Sequence, residues 1–457
     1  MPLLDRMSPS MRASVEKIMA VAQPGMLKIK CVFSSMKNGL FRYEVEQIFD
    51  MAIVQNFVTE YADYLTVEFT CSPTEYQKLY NNTQDLWCDI EFRNVGITSF
   101  LSIKPILKLR LRAIIKGKKD ITKHYPREDL GITDDNNILS GIKSMSERFG
   151  IQTEAQISNR IAVEVDLYDD DLYKIRKKKC NFILRDSTVQ EALLTCAQSL
   201  GVKKVWMPKP DNITKYKNII IPPMMGIEDV FRYLQMSDAY GVYDYDLGCY
   251  YTQGTLYIYP LYKTNADSLS MVHIYSIGEG LFQGSDGYHI TQLKDTQIVC
   301  NTQTDDKDLV ETGLENIGSH YLIQSTKKIL DKWRKTGEDK FTISSDTLQS
   351  MAFNVKDGMS KDVYSPVYVK TDNPYRLRSE IHSTYLTLVA AGWQHAMPFT
   401  FLPGHRVLYH HDGPSGEFKK AEGVCNSVVY RIRPADGLEE RIYTCSATIQ
   451  LAVRYSK

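Results

Sequence analysis

The chain has 457 residues, and its 55 Lys and Arg residues are balanced by 55 Asp and Glu residues, so the formal net charge is zero. This balance excludes a protein that gathers nucleic acid through its overall charge, although a local basic face remains possible. Apolar residues make up 43% of the sequence, as in ordinary globular proteins, and the length favours about three domains.

The sequence has neither the apolar core of a secretory leader nor a run of about eighteen apolar residues that could cross a membrane. We therefore expect a soluble protein that is made in the cytoplasm. The nine Cys residues are scattered without a C-x-x-C pair, so they predict neither a disulfide framework nor a zinc site. The 29 Tyr residues suit surfaces that become buried when proteins assemble.

Residues 6–22 place Met, Val and Ile side chains along one side of a helix that ends before Pro24. Two interpretations of this arm stay open. It docks on its own domain, as terminal elements usually do, or it packs on a neighbouring subunit.

Residues 27–115 have the pattern of a β domain. The Asn-Gly pair at 38–39 is the signal of a tight hairpin turn. Ser72, followed by Pro73 and Glu75, predicts the capped start of one short helix. The region therefore predicts an antiparallel sheet or small barrel that one helix interrupts.

Residues 106–115 form the clearest strand of this domain. Leu107 shares one face with other apolar residues, whereas Lys108, Arg110 and Arg112 point to the opposite face. The basic face could line a channel through which DNA passes. It could equally be the solvated outer face of a half-buried strand.

A polar stretch at 116–156, with one helical pattern near 138–149, indicates a linker before a middle domain. The middle domain opens with an alternating strand at 161–167. The opposite charges at 169–171 and 174–179 predict a solvated hairpin end. Three consecutive Asp residues could bind a divalent cation, but no second set of carboxylates accompanies them.

The next elements of the middle domain are two helices and a hairpin. Ser187 and Gln190 predict the capping box of a helix over 188–200, closed by Gly201. A strand that ends at a double proline then precedes a helix with one apolar face, which we expect to end near residue 241. Aromatic strands around a Thr-Gln-Gly turn at 252–254 complete the unit.

Residues 263–340 show few clear elements apart from a strand at 270–276 and a helical pattern at 320–334. From residue 341 the pattern is β again. A Pro-Gly pair at 403–404 predicts a turn before a strand. The last strand, at 442–455, alternates between apolar and polar residues.

The order of strand, double proline, helix and aromatic hairpin resembles the middle domain of the baseplate hub proteins of contractile-tailed bacteriophages. It is also similar to the N-terminal hub part of VgrG-type proteins. The double proline and the stretch from Tyr240 and Gly241 to Pro260 carry the match. The candidate core motif of this domain is Pro222, Pro223, Phe231, Leu234, Tyr240, Gly241 and Tyr243. The corner at Pro403 and Gly404 resembles a turn in the second tube-like domain of hubs.

The resemblance implies an α+β, mostly β fold in which two tail-tube-like antiparallel sheet or barrel domains flank an inserted α+β domain. The expected order is an N-terminal helical arm (1–26), a first tube-like domain (27–115), a linker (116–156), the middle domain (157–262), a connecting segment (263–340) and a second tube-like domain (341–457).

The resemblance further implies a structural virion protein, a homotrimeric ring that adapts the sixfold tail tube to the threefold central spike and leaves a channel for DNA. Its partners would be the tail tube protein and the central spike protein, with the tape measure and baseplate wedge proteins as further candidates. DNA would only pass through. The candidate interface residues are Leu107, Lys108, Arg110, Arg112, Ile449, Leu451 and Val453.

Two other functions stay open, a tail-associated cell-wall hydrolase and a receptor-binding module of the tail tip. A buried carboxylate with a raised pKa inside a cleft would favour the hydrolase. An exposed groove of Tyr residues would favour the receptor-binding module. The sequence itself contains no catalytic motif that we recognise, and we expect no enzyme activity and no cofactor. His405, His410, His411 and Asp412 form only a weak candidate metal set.

Overall fold

The structure of the chain is a computed structural model. The described residues are 13, 26–35, 41–94, 107–119, 161–263, 271–277, 291–292, 296–305, 340–343, 351–354, 373–376, 378–379, 386–412, 418–435 and 442–455. The helical arm expected at 6–22 and the helices expected at 138–149 and 320–334 lie outside these residues, apart from residue 13.

The described part of the chain is α+β and mostly β. Its strands are β1 Met26–Ser35, β2 Phe41–Glu44, β3 Ile48–Asn56, β4 Tyr64–Cys71, β5 Trp87–Asn94, β6 Leu107–Lys119, β7 Ile161–Tyr168, β8 Cys180–Thr188, β9 Val205–Trp206, β10 Lys215–Met225, β11 Leu247–Thr252, β12 Thr255–Pro260, β13 Met271–Ile277, β14 Thr291–Gln292, β15 Thr296–Asp305, β16 Lys340–Ile343, β17 Met351–Asn354, β18 Thr387–Trp393, β19 Arg406–Asp412, β20 Phe418–Pro434 and β21 Ile442–Tyr455. Its α-helices are α1 Pro73–Asn81, α2 Asp170–Lys177, α3 Val189–Leu200 and α4 Ile227–Met236.

Eight antiparallel strands close into a first barrel. Hydrogen-bonded neighbours lead from β20 through β3, β4, β7, β6, β5, β1 and β21, and β21 pairs with β20 again. Alternate residues of each strand point inward, such as Ile29 opposite Phe92 and Val67 opposite Val165, and these side chains are buried. Closure leaves the barrel without a free edge at these strands.

Six strands close a second barrel, in the order β13, β19, β20, β21, β18, β15 and back to β13. β13 is parallel to both of its neighbours, whereas the other pairs are antiparallel. Two of these strands, β13 and β15, come from the segment that the sequence analysis assigns to a connection. A local pattern cannot show their role, because each also pairs with a strand far along the chain. Met271 of β13 pairs with Arg406 of β19, and Asn301 of β15 pairs with Gly392 of β18.

β20 and β21 belong to both barrels. All odd-numbered residues of β21 from Tyr443 to Val453 face the same buried side. On β20 an extra residue, Asn426, shifts the register between Cys425 and Ser427. Because a bulge of one residue inverts the alternation, both ends of β20 point their apolar side chains to that same side. The two barrels therefore sit end to end on one strand pair and share a continuous core.

The strand β7 completes the first barrel. The sequence analysis places residues 161–167 at the start of the middle domain. The structure instead pairs β7 with β4 and β6 along its whole length. The long polar stretch before β7 suggested a domain boundary. In the structure β7 nevertheless lies between β4 and β6 and completes the first barrel.

The helix α1 begins with the capping box that the sequence predicts. The backbone amide of Glu75 donates to the Ser72 hydroxyl at 3.2 Å, and the amide of Ser72 donates to the Glu75 carboxylate at 2.9 Å. Pro73 occupies the first turn, where no amide hydrogen is needed.

Replacing Ser72 by Ala should lower the free energy of unfolding by about 1 kcal/mol, because the first turn loses its side-chain acceptor. Urea denaturation followed by circular dichroism measures this loss. Thr74→Ala is the matched control, since Thr74 is exposed within the same turn and does not cap the helix. Equal losses in the two variants would contradict the capping role.

The middle domain contains α2 to α4, the two-stranded β8–β10 sheet and the three-stranded sheet of β11, β12 and β9. Several local predictions need correction. The charges at 169–179 form α2, which Asp169 caps, and not a hairpin. The capping box of α3 is Thr188 with Glu191, one residue later than predicted.

Two further boundaries of the middle domain differ from the predictions. The helix α4 ends at Met236, and Gly241 closes the following loop by donating its amide to the Leu234 carbonyl at 2.8 Å. β10 continues through the double proline as an irregular segment between Ile221 and Met225. The Gln-Gly turn at 253–254 joins β11 to β12 as the sequence predicts, with both residues at positive φ.

Candidate functional site

The outward face of β6 is charged but electrically balanced. Lys108 lies 2.8 Å from Glu91, and Arg112 lies 3.0 Å from Asp170, while Arg110 approaches Asp89 at 4.0 Å. The acidic neighbours of β6 come from β5 across the sheet and from α2. The expected basic face is therefore a ladder of alternating charges, because the sequence pattern of one strand does not reveal the charges of its neighbours.

The remaining candidate interface residues pack in the hydrophobic core. Leu107 lies opposite Phe92 and packs against the interior of the first barrel. Ile449, Leu451 and Val453 are fully buried on the shared strand pair, so their side chains cannot contact another subunit in this structure. Among the candidates, Lys108, Arg110 and Arg112 alone present charged groups at the outer face.

Most residues of the candidate core motif lie in one hydrophobic cluster of the middle domain. Phe231 and Leu234 of α4 are fully buried there, together with Tyr240 and Tyr243. The Tyr243 hydroxyl donates to the Pro208 carbonyl at 2.8 Å. Gly241 has φ +116° and adjoins this cluster.

The double proline lies at the rim of the domain. Pro222 is half-buried and Pro223 is exposed, within the irregular part of β10. Since proline has no amide hydrogen, these two residues interrupt the pairing of β10 with β8.

The predicted turn at Pro403 and Gly404 precedes β19. The His405 amide donates to the Leu402 carbonyl at 3.1 Å, and Gly404 has φ +75°. This geometry is that of a β-turn with proline at its second position and glycine at its third. Phe401 before the turn is fully buried, so the turn is anchored to the core. The apolar residues at 399–402 predict a further strand, but the structure has no strand there and the segment leads into this turn.

A buried carboxylate joins the first barrel to the middle domain. Asp63 directly precedes β4, and its carboxylate accepts hydrogen bonds from Gln55 at 2.8 Å, from the Tyr250 hydroxyl at 3.0 Å and from the Thr252 hydroxyl at 2.5 Å. Gln55 belongs to the barrel, whereas Tyr250 and Thr252 belong to β11. We call the contacts among Gln55, Asp63, Tyr250 and Thr252 the junction.

The backbone and the aromatic rings strengthen the junction. The Tyr251 amide donates to the Tyr61 carbonyl at 2.7 Å, which forms a parallel bridge next to Asp63. The rings of Phe57 and Tyr250 meet edge to face at 4.9 Å. The Tyr259 hydroxyl donates to the Phe57 carbonyl at 3.1 Å. The middle domain is therefore fixed to the barrel and is not a loosely tethered unit.

Burial raises the pKa of Asp63 to about 6, although hydrogen bonds from Thr252, Gln55 and Tyr250 oppose that shift. The residue keeps some exposed surface, but its carboxylate lies deep among protein atoms. Burial also raises the pKa of Asp169, which caps α2 nearby. Both carboxyl groups therefore hold protons more tightly than ordinary Asp residues.

A cavity of about 310 Å³ adjoins the junction. Its lining includes Asp63, Asp169 and Thr252 on one side and Leu107 and Arg110 of β6 on the other. A carboxylate with a raised pKa beside a cavity is the feature that would favour a hydrolase. Both oxygens of Asp63, however, already accept hydrogen bonds from protein groups.

The hairpin of β11 and β12 depends on a glycine beneath an aromatic ring. Gly248 lies opposite Tyr259, and a methyl group on Gly248 would come within 2.5 Å of that ring. Tyr259 is fully buried and cannot move aside without disturbing Phe57.

We expect Gly248→Ala to lower the free energy of unfolding by about 1–3 kcal/mol, because overpacking displaces a fixed ring. Chemical denaturation measures the change. Gly254→Ala serves as a comparison, since a methyl group there meets no atom within 4 Å and only the positive φ of the turn opposes it. A loss at Gly254 that exceeds the loss at Gly248 would refute the packing argument.

His405, just before β19, and His410, within it, are buried and neutral. Burial lowers the pKa of His405 to about 4 and that of His410 to about 3. A ring nitrogen of His410 lies 3.2 Å from one of His273 on β13. Within the described ranges no three His, Cys, Asp or Glu side chains come together as metal ligands. The structure thus does not assemble His405, His410, His411 and Asp412 into one site.

No helix in the described part of the chain is long and apolar enough to cross a membrane.

Asp63 was not predicted from the sequence as a functional residue. It is a single Asp in a short connection between two strands, and its role depends on Tyr250 and Thr252, which lie almost two hundred residues later. No local signal marks such a residue. Only the aromatic density of β11 pointed to the partner side of the contact.

No protein-family model matches the chain, and no curated protein matches it by sequence. Solved structures resemble it at low identity. The tail protein from Neisseria meningitidis is 10% identical, with a TM-score of 0.45, and the match covers 93% of this chain and 96% of that one. The 43 kDa tail protein of prophage MuSo2 from Shewanella oneidensis is 10% identical, with a TM-score of 0.43 and coverage of 92% and 97%. The lidded PdpA–VgrG complex of Francisella is 8% identical, with a TM-score of 0.42, and covers 98% of this chain and 56% of that one. Two of these three solved structures are tail proteins, and the third is a VgrG complex.

Proposed function

We propose that this chain is the baseplate hub of a contractile phage tail, a structural virion protein that adapts the sixfold tail tube to the threefold central spike. The observation that carries the proposal is the pair of closed barrels in one chain, fused through β20 and β21. The sequence motifs of the middle domain and of the turn before β19 support the same family. No catalytic step is needed for this role.

The shared strand pair explains how one subunit could present two barrel units in a fixed relation. Three subunits would then supply six barrel units to the tube while the ring keeps threefold symmetry for the spike. Closed rings of this kind need head-to-tail interfaces whose rotation closes on itself. Because β20 and β21 run without a break through both barrels, the angle between the two units is set within each chain and not by assembly.

The outer charge ladder of the first barrel is the candidate contact surface. Its charges alternate, so a similar ladder on a neighbouring unit could pair with it after a small shift along the strand. Such a surface would suit a polar interface that forms from soluble subunits. The partners would be a second copy of the chain, the tail tube protein and the spike protein, with DNA in transit through the ring.

Native mass spectrometry and particle class averages test the proposal. The purified chain should form a homotrimeric ring with an open channel and six lobes, alone or with tube and spike proteins. Arg110→Glu should weaken the ring. The double variant Arg110→Glu with Asp89→Arg restores the ion pair within the subunit with its charges exchanged, so a loss of the ring that remains comes from the contact between subunits. A chain that stays monomeric with every tail partner would overturn the hub role.

The cavity beside Asp63 favours one alternative, the cell-wall hydrolase. Its weakness is that three protein donors already bind the two carboxylate oxygens of Asp63, which leaves only one lone pair for a substrate. A peptidoglycan suspension should stay turbid with the purified chain. Clearing by the native chain and not by Asp63→Asn would establish the hydrolase instead.

The receptor-binding alternative depends on an exposed groove of Tyr residues. The structure buries Tyr243, Tyr250 and Tyr251, and only Tyr245 of that group keeps appreciable exposure. These rings hold the middle domain together and attach it to the barrel. They therefore offer no recognition groove.

A further inference from the structure

The β8–β10 ribbon has one face against the middle domain and one face toward solvent. Ile219 and Ile221 are buried against α3 and α4, with Phe182 and Leu184 half-buried beside them. In the part of the chain that the structure describes, no further strand pairs with either member of this ribbon.

The solvent face of the ribbon carries large apolar side chains. Ile183 and Ile220 lie directly opposite each other and are 61% and 49% exposed. Met224, in the irregular part of β10, is 74% exposed and has φ +66°, a conformation that few non-glycine residues adopt. Ile183 and Ile220 therefore form one exposed apolar pair, with Met224 further along β10, unlike isolated apolar residues scattered over a surface.

Within the described ranges, the outer edge of β8 has no strand partner. In antiparallel strands, opposite residues alternate between exchanging two hydrogen bonds and exchanging none. The Ile220 amide donates to the Tyr240 hydroxyl at 3.0 Å and so points away from β8. Its partner Ile183 must then direct its own amide and carbonyl away from β10, toward the free edge. An added strand could use these groups.

The ribbon is also positively charged. Lys179 just before β8, Arg185 within it, and Lys215 and Lys217 on β10 are all exposed, whereas Asp186 is the single exposed carboxylate among the described residues of the two strands. This charge opposes a second copy of the same ribbon and attracts an acidic segment.

We infer that the free edge and outer face of the ribbon dock an extended acidic segment of a partner protein, which adds a strand to β8 and places an apolar side chain on Ile183 and Ile220. Main-chain hydrogen bonds would supply affinity, and the apolar contact and the charge would supply specificity. This inference does not depend on the hub role, since any acidic strand of suitable pattern would serve.

The test uses the full-length protein and three labelled peptides of about twelve residues. One alternates Glu and Val, one alternates Lys and Val, and one is the acidic peptide with proline at alternate Val positions, which cannot donate to a strand edge. Fluorescence anisotropy measures binding. The variants are the double change Ile183→Ser with Ile220→Ser, and Leu194→Ser as a matched control, because Leu194 is exposed on α3 and away from the ribbon face.

The acidic peptide should bind at least about tenfold more tightly than the other two, and added salt should weaken it. The Ile183 and Ile220 double variant should lose about tenfold in affinity, whereas Leu194→Ser should bind as the native chain does. Circular dichroism confirms that each variant is folded. Absence of binding, equal binding of acidic and basic peptides, or an unchanged double variant would each overturn the inference, as would a dimer that the double variant abolishes.

Discussion

Replacing Leu451 by Asp should unfold both barrels together and cost about 5 kcal/mol or more, among the largest effects of a single substitution in this chain. Leu451 is fully buried on β21, between Cys425 of β20 and Val389 of β18. The change removes an apolar side chain from a packed core and adds a carboxylate with no partner there. Since β21 also closes the first barrel, the damage cannot stay in the second.

The two barrels contain separate reporters. Trp87 lies on β5 of the first barrel, and Trp393 lies fully buried on β18 of the second. Variants that keep one of these Trp residues allow urea unfolding of each barrel to be followed by fluorescence. In the native sequence the two midpoints should coincide, and Leu451→Asp should move both to lower urea by the same amount.

Thr448→Asp is the matched control for this substitution. Thr448 is exposed on the same strand, so its charge stays in water and the expected cost is below about 1 kcal/mol. If Leu451→Asp shifted the Trp393 transition and left the Trp87 transition in place, the barrels would be independent units. The fixed geometry on which the proposed adaptor role relies would then be lost.

The local elements could be predicted from the sequence because their causes are local. The capping box at Ser72, the Gln-Gly turn before β12 and the alternation along β21 each depend on residues within a few positions of one another. These patterns predicted the mostly β class correctly. Errors of one residue at a cap, such as Thr188 in place of Ser187, arise because both residue types commonly cap helices.

The closure of the barrels could not be predicted in the same way. Whether β7 belongs to the first barrel depends on its pairing with β4 and β6 and not on its own alternation, which is the same in either domain. The alternation of β21 likewise shows that one face is buried but not what buries it. This ambiguity is why Ile449 and its neighbours were candidates for a subunit interface although they fill a core.

The charges of the outer face show the same limit. A strand with Lys108, Arg110 and Arg112 on one face predicts a basic surface only if its neighbours are neutral. The structure places Glu91 and Asp89 beside them. A prediction of surface charge therefore needs the strand order, which the sequence of one strand does not contain.

Removing the Asp63 carboxylate should loosen the junction between the first barrel and the middle domain. Asp63→Ala leaves the Gln55 amide and the Tyr250 and Thr252 hydroxyls without their acceptor, at an expected cost of about 3–5 kcal/mol. Hydrogen exchange should then rise first in β11 and in the strands next to Asp63. Thr59→Ala is a useful neighbour control, because Thr59 is exposed in the connection that leads to Asp63.

Asp63→Asn should separate the hydrogen bonds from the charge. The folded state holds a proton on Asp63 up to about pH 6, whereas an ordinary Asp in the unfolded chain releases it near pH 4. Between these values the folded state binds more protons than the unfolded chain. The contribution of Asp63 to the free energy of unfolding therefore falls as the pH rises, by at most about 3 kcal/mol in total. Above about pH 6 this contribution is constant. Asn cannot titrate and resembles the protonated acid. We therefore expect the native chain and Asp63→Asn to be equally stable near pH 4 and the variant to be the more stable one at pH 7. Parallel stability profiles from pH 4 to pH 7 would show that Asp63 is already ionised in the folded chain, and the three donors would then hold a charged carboxylate at the junction.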